Sequence, residues 1–271
     1  MKKKIISAAL AAFIAAALAA SLCGTAFADE NASADSASVY VTISDGSLVL
    51  SHASVTVTDT DSDGSLTIND ALTAAHDAYY DGGAETGYAS ETGDYGLSLT
   101  KLWGVENGGS YGYYVNNASA WSLADTVASG DVIVAFVYTD TTSWSDVYSF
   151  FDVYTVAAAS EDEITLTLSY VGYDDAWNTV NLPVEGAVIT VDGKATEYVT
   201  DADGKAVITI SDAGEHIVSA TSSSLTLVPP VCVVTVESAP QTGDAVTFTL
   251  LLAIAAAALL TAVRKRGAYA A

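Results

Sequence analysis

The residues best spaced for chemistry are Asp59-Thr60-Asp61-Ser62-Asp63-Gly64-Ser65-Leu66-Thr67-Ile68-Asn69-Asp70. Carboxylates stand at positions 1, 3 and 5, glycine at 6, an apolar residue at 8 and a carboxylate at 12, the pattern of a twelve-residue EF-hand calcium loop. Ca²⁺ is a hard cation that takes six to eight oxygens, and a tight loop turns every second side chain inward to supply them. Gly64 permits the sharp turn that brings the Ser65 carbonyl round. The candidate ligands are therefore Asp59, Asp61, Asp63, Ser65, Thr67 and Asp70. With 33 acids and 20 glycines in 271 residues, a chance match is on the order of 10⁻⁵ per window.

The elements around the loop are legible too. Ile68, Ala71, Leu72, Ala75 and Tyr79 lie on one face of a predicted helix. The preceding segment reads as strand, so a loop and exit helix are expected rather than a paired hand. The motif resembles dockerin-type loops, which also close with Asp at the last position. Asp reaches less far than Glu, so affinity is expected to be weak, about 10⁻⁴ M or poorer, with a structural rather than regulatory ion. Asp201-Ala202-Asp203-Gly204 reads as a hairpin turn.

Both ends of the chain carry targeting signals. Lys2, Lys3 and Lys4, an apolar run from Ile5 to Leu22, and Ala26-Phe27-Ala28 read as a signal peptide cut after Ala28, with Ala26 and Ala28 as the small residues at the site. At the other end Pro240-Gln241-Thr242-Gly243 precedes uncharged residues from Ala245 to Val263 and then Arg264-Lys265-Arg266. Nineteen helical residues span roughly 28 Å, the hydrocarbon thickness of a bilayer. The basic cluster would hold the cytoplasmic side. This tail resembles the cell-wall sorting signals read by sortases in Gram-positive bacteria (LPXTG-like). The resemblance implies a cut between Thr242 and Gly243, with Pro240, Thr242 and Gly243 matching and Ala239 standing where Leu is usual. It also implies an extracellular, wall-linked protein whose partners are a sortase and peptidoglycan, touching the membrane only through the C-terminal helix before sorting.

Between the ends, Lys101, Lys194 and Lys205 are the only cations from Asp29 to Thr242, against all but one of the 33 acids. Such a field repels nucleic acid and anionic lipid. Cys232 is the only cysteine there, in a strand-like apolar run, so no internal disulfide is expected.

The fold class expected is mainly β, in two domains. From 39 to 156, Val39, Val41 and Ile43 alternate with polar residues, Asp45-Gly46 turns the chain back, and Gly- and Tyr-rich strands follow the helix. Residues 157–162 read as a linker. From 163 to 236, alternating strands and turn signals about ten residues apart argue a small β-sandwich. That segment resembles immunoglobulin-like or transthyretin-like stalk modules at Gly186-Ala187-Val188 and Thr200-Asp201-Ala202-Asp203-Gly204.

The aromatic strand Tyr111-Gly112-Tyr113-Tyr114-Val115-Asn116-Asn117, followed by Gly130-Asp131-Val132-Ile133, resembles a family of extracellular domains of unknown function (DUF4430-type) similar to the C-terminal domain of transcobalamin. The resemblance implies a β-grasp fold, a curled sheet over one helix, with a ligand face of Trp103, Tyr113, Tyr114, Asn116 and Trp121. Cobalamin, another small molecule, a glycan or a host protein are the ligands to weigh. The reading that the aromatics fill the core or a sheet face weighs more. No catalytic constellation appears: His52, His76 and His216 are scattered, and His76 is expected on the helix surface. The chain reads as a display or binding protein, with a purely structural wall component as the alternative, and not as an enzyme.

Overall fold

A computed structural model describes residues 36–94 and 96–237. The expected signal peptide at 1–28 and the expected sorting signal at 239–271 lie outside the described residues. Among the described residues, no helix is long and apolar enough to cross a membrane. The protein is mainly β, with two helices in the described part.

The alternating segment β1 (Ala37–Ser44) turns back as β2 (Leu48–Val57), and the two pair antiparallel. After the acidic loop comes α1 (Ile68–Tyr79), then the one-turn α2 (Gly83–Gly87) and a small hairpin, β3 (Ala89–Gly93) and β4 (Gly96–Lys101). Next come β5 (Tyr111–Val115), β6 (Ala118–Ser119) and β7 (Val132–Val137). These build a mixed sheet of order β2-β1-β7-β5-β6, in which β7 runs parallel to β1. The helix lays Ile68, Ala71, Leu72 and Ala75 on this sheet, all fully buried, while Tyr79 at the end of the same stripe is half exposed.

Every residue of β7 is buried. A strand apolar throughout is one covered on both faces, and β7 is such a strand. Ile133, Ala135 and Val137 join the core under α1. Val134 and Phe136 point the other way and pack on Tyr148 and Val228.

Those last two residues belong to the second half. It comprises β8 (Asp146–Phe151), β9 (Thr155–Ala159), β10 (Ile164–Tyr173), β11 (Thr179–Pro183), β12 (Val188–Val191), β13 (Lys194–Val199), β14 (Lys205–Ile208), β15 (Gly214–Thr221), β16 (Thr226–Val228) and β17 (Cys232–Glu237). One sheet has the order β11-β10-β8-β16, with β14 also on β10, and the other the order β13-β12-β15-β17-β9. Alternate residues of both sheets, among them Leu166, Leu168, Ile189, Ile208, Val218 and Val234, meet in one core. Cys232 lies in it, fully buried, and burial pushes its thiol up to about 12.

Three expectations are corrected here. The boundary placed at 156 runs through this half, because β8 pairs with β10 and β16, and β9 pairs with β17. Residues 157–159 are thus edge strand and not linker. Local alternation marks β8 and β9 as strands, but only long-range pairing assigns them to a sheet. The Asp201–Gly204 turn is also no hairpin. It carries the chain from β13, paired with β12, to β14, paired with β10 in the other sheet. Asp201 caps it by accepting hydrogen bonds from the Asp203 and Lys205 N–H groups. Gly204, at φ +75°, passes so close to the Leu168 carbonyl that a side chain has no room.

Candidate functional site

The loop between β2 and α1 brings three of its carboxylates together. Asp59, Asp61 and Asp63 each place an oxygen within 4.8 Å of the others. The loop's own N–H groups hold this arrangement. Gly64 N–H donates to Asp59 Oδ2 at 2.9 Å, Asp63 N–H to Asp59 Oδ1 at 3.2 Å, and Ser65 N–H to Asp63 Oδ1 at 2.8 Å. Gly64 sits at φ +87°, the left-handed turn that its type permits. Partial desolvation, and then the charges of Asp63, Asp70 and Asp59, raise the pKa of Asp61. Three acids so placed repel one another, and the donor set, all hard oxygen, fits Ca²⁺.

Two other expected ligands, Thr67 and Asp70, have side chains engaged elsewhere. Asp70 is fully buried and lies outside the cluster. Its Oδ1 accepts from the Thr60 N–H at 2.9 Å and from the Thr60 hydroxyl, and its Oδ2 from the Thr67 N–H at 3.0 Å and hydroxyl at 2.7 Å. Thr67 is the N-cap of α1, and with Asp70 it forms a reciprocal capping box. Burial works to raise the Asp70 pKa, but the hydrogen bonds from Thr60 and Thr67 outweigh it and hold the group below the usual carboxylate range. The side chains of Thr67 and Asp70 therefore close the helix rather than join the acid cluster. Among the described residues, Asp59, Asp61 and Asp63 form the one group of acids, histidines or cysteines close enough to share a metal ion.

Of the five residues of the expected ligand face, Tyr114 and Trp121 border one groove and the other three lie apart from it. Trp103 lies in an aromatic cluster, its ring 5.0 Å from His76 and 5.1 Å from Tyr80. Tyr113 packs half-buried on the core under α1. Tyr114, on the opposite face of β5, stacks on Tyr148 with centroids 3.7 Å apart and planes 5° from parallel. Burial there pushes the Tyr114 hydroxyl up to about 12. Asn116 is a turn residue at φ +51°; its amide donates to Asp131 at 2.8 Å and accepts from the Val132 N–H at 2.9 Å. Trp121, 88 % exposed, and Asn116 face solvent.

His76 corrects a further expectation, for it is fully buried rather than on the surface. Its Nδ1 lies 2.6 Å from the Leu72 carbonyl and must donate to it, so Nε2 is the acceptor for the Trp103 N–H at 3.0 Å. A neutral imidazole satisfies both, and burial lowers its pKa. His76 thus ties the end of α1 to the turn after β4. Helical periodicity places position 76 next to the buried Leu72 and Ala75, the signal in the sequence that points to burial.

His216 is the one histidine paired with an acid, its Nδ1 2.8 Å from Asp192 Oδ2. Bonding to Asp192 and to the Asp212 carbonyl raises its pKa. No nucleophile completes that pair among its hydrogen-bonding partners. No known family model matches the chain, and comparison with curated proteins finds no match either.

Proposed function

We propose that this chain is a calcium-stabilised extracellular display protein, fixed to the wall of a Gram-positive bacterium through Thr242 and presenting a binding surface away from it. It is not an enzyme in this reading. The observation that carries it is the preformed trio Asp59, Asp61 and Asp63, whose mutual repulsion a divalent cation relieves. The lost position-12 ligand makes a weak site, one suited to the millimolar calcium found outside cells. Sorting rests on Pro240-Gln241-Thr242-Gly243 and on the apolar and basic residues behind it.

The finer fold belongs to the same proposal. A mixed sheet with α1 on one face supports the β-grasp reading and its transcobalamin-like kinship. Two sheets around one core support a small immunoglobulin-like or transthyretin-like sandwich. The dispersal of Trp103, Tyr113 and Tyr114 into packing roles speaks against cobalamin at that face. It is also the observation that favours the second reading, a structural wall component.

Thermal unfolding in calcium and in chelator tests the ion. For a site of about 10⁻⁴ M, about 2 mM calcium contributes roughly 2 kcal/mol, or an increase in Tm of about 4–7 °C. Asp59→Ala and Asp63→Ala should each abolish the difference; equal melting of the native chain in both conditions would sink the calcium site. Wall fractionation of Thr242→Ala tests the anchoring separately, by loss of the covalently wall-bound form.

A further inference from the structure

Two sheet edges border a groove that neither half covers. β6 ends the sheet of the first half, and β11 ends one sheet of the second. The space between them is about 620 Å³, within the range of small-ligand sites. Tyr114, Trp121 and Tyr173 line it beside Asn117, Thr179 and Asn181.

Tyr114 is shared with the packing on Tyr148, but Trp121 and Tyr173 are not used for folding. Trp121 is 88 % exposed and Tyr173 is 62 % exposed, and Trp177, 81 % exposed, holds its ring 6.1 Å from Tyr173. Burying such a side chain is worth about 1.5–3 kcal/mol, which this surface leaves unclaimed. The chain also holds Trp177 outward at a cost. It sits at φ +63°, a left-handed conformation that disfavours a bulky residue by about 1–2 kcal/mol. The tip is kept in that shape by Asp174, whose carboxylate accepts from the Ala176 and Asn178 N–H groups at 2.9 and 2.8 Å and from the Asn178 amide.

The chemistry of the lining selects the occupant. Among the described residues no Lys, Arg or His lines the groove, and the chain carries a formal charge of −24, so anionic ligands are repelled. Flat rings stand together with uncharged amides and hydroxyls. That combination suits a ligand with apolar C–H faces and a hydroxyl edge. Asn117, whose amide oxygen already accepts from the Tyr148 hydroxyl at 2.7 Å, has its N–H groups to offer. We propose that the groove between β6 and β11 binds a neutral oligosaccharide, with sugar faces stacked on Trp121, Tyr173 and Trp177 and hydroxyls hydrogen-bonded by Asn117, Thr179 and Asn181. The proposal deepens the display reading by giving it a ligand class, and rests on that reading only for where the groove is presented.

The test is titration of the purified full chain with cellohexaose, maltohexaose and N-acetylated chitohexaose, followed by tryptophan emission and calorimetry. At least one should saturate. Trp121→Ala and Tyr173→Ala should each weaken it by at least about tenfold without lowering Tm. Trp144→Ala, which removes another exposed tryptophan outside the groove lining, should leave binding unchanged. Two results overturn the proposal: no saturation by any of the three at about 5 mM, or undiminished binding by Trp121→Ala. A neutral decapeptide that binds as well as the sugars, and loses affinity in Trp121→Ala, overturns it in favour of a strand pairing with the β6 or β11 edge. Each readout is made in solution, so failure here leaves the calcium and wall-fractionation tests standing.

Discussion

At the scale of the residue, His76 and Asp70 show how chemistry-bearing side chains are spent on the fold. Both hydrogen-bonding atoms of His76 are engaged and its ring is enclosed by Tyr80, Tyr88 and Trp103. Protonation would turn Nε2 into a donor facing the Trp103 N–H. Because its folded pKa is depressed, the stabilisation is present above about pH 6.5, the unfolded value, and is lost as pH falls through the folded one. His52, held low by burial, acts in the same sense, whereas His216, raised by Asp192, acts in the opposite one. His76→Asn should destabilise the protein by about 1–3 kcal/mol at pH 7. It should also flatten the decline of the urea midpoint between pH 7 and 5; an unchanged decline would remove His76 from that pH dependence. The spacing of Asp59, Asp61 and Asp63 was legible in the sequence as a cluster. That Asp70 would close a helix instead was half legible, because Thr67-Ile68-Asn69-Asp70 also has the spacing of a capping box. Two local motifs compete for one carboxylate, and burial decides between them.

Among the elements, β7 carries the most tertiary information. Its apolar run announces a strand covered on both sides, but the cover on the second side comes from β8 and β16, far along the chain. Tyr148 is the centre of that cover, stacked on Tyr114, 6.3 Å from the Phe136 ring and hydrogen-bonded to Asn117. Tyr148→Ala should cost about 3–5 kcal/mol, and Tyr148→Phe, which loses only the hydroxyl bond, about 1 kcal/mol; chemical denaturation measures both. Equal small losses would mean that the junction contributes little. The alternation of β1 and β2 and the apolar face of α1 were readable because their periods are local. The partners of β8, β9 and β14 were not, since an isolated alternating segment fits either sheet equally well.

For the whole molecule, the consequence is that the two halves share buried surface. Val134 and Phe136 from the first half and Tyr148 and Val228 from the second form one cluster, and His52 stacks between Tyr40 and Tyr154 across the same seam. A single urea transition is therefore expected from the full chain by both tryptophan emission and far-ultraviolet dichroism. A fragment cut at 156 holds β8 and only the first two residues of β9, without β10, β16 and β17, and should show neither native dichroism nor a cooperative transition. Two separated transitions in the full chain would show that the halves fold independently.

By itself, the sequence determined the mainly β class, the amphipathic helix α1 and the acidic loop ahead of it, and it alone carries the proposal of export and wall sorting. Each is a property of adjacent residues: a period, a run, a fixed spacing. Tertiary structure alone decided which carboxylates of the loop share a site, which sheet each late strand joins, and which aromatics are buried in seams. It also decided that Trp121 and Tyr173, 52 residues apart in sequence, border one groove. Those outcomes depend on contacts between distant segments, where the energy of a pair is set by what the folded chain brings beside it and not by its neighbours in sequence.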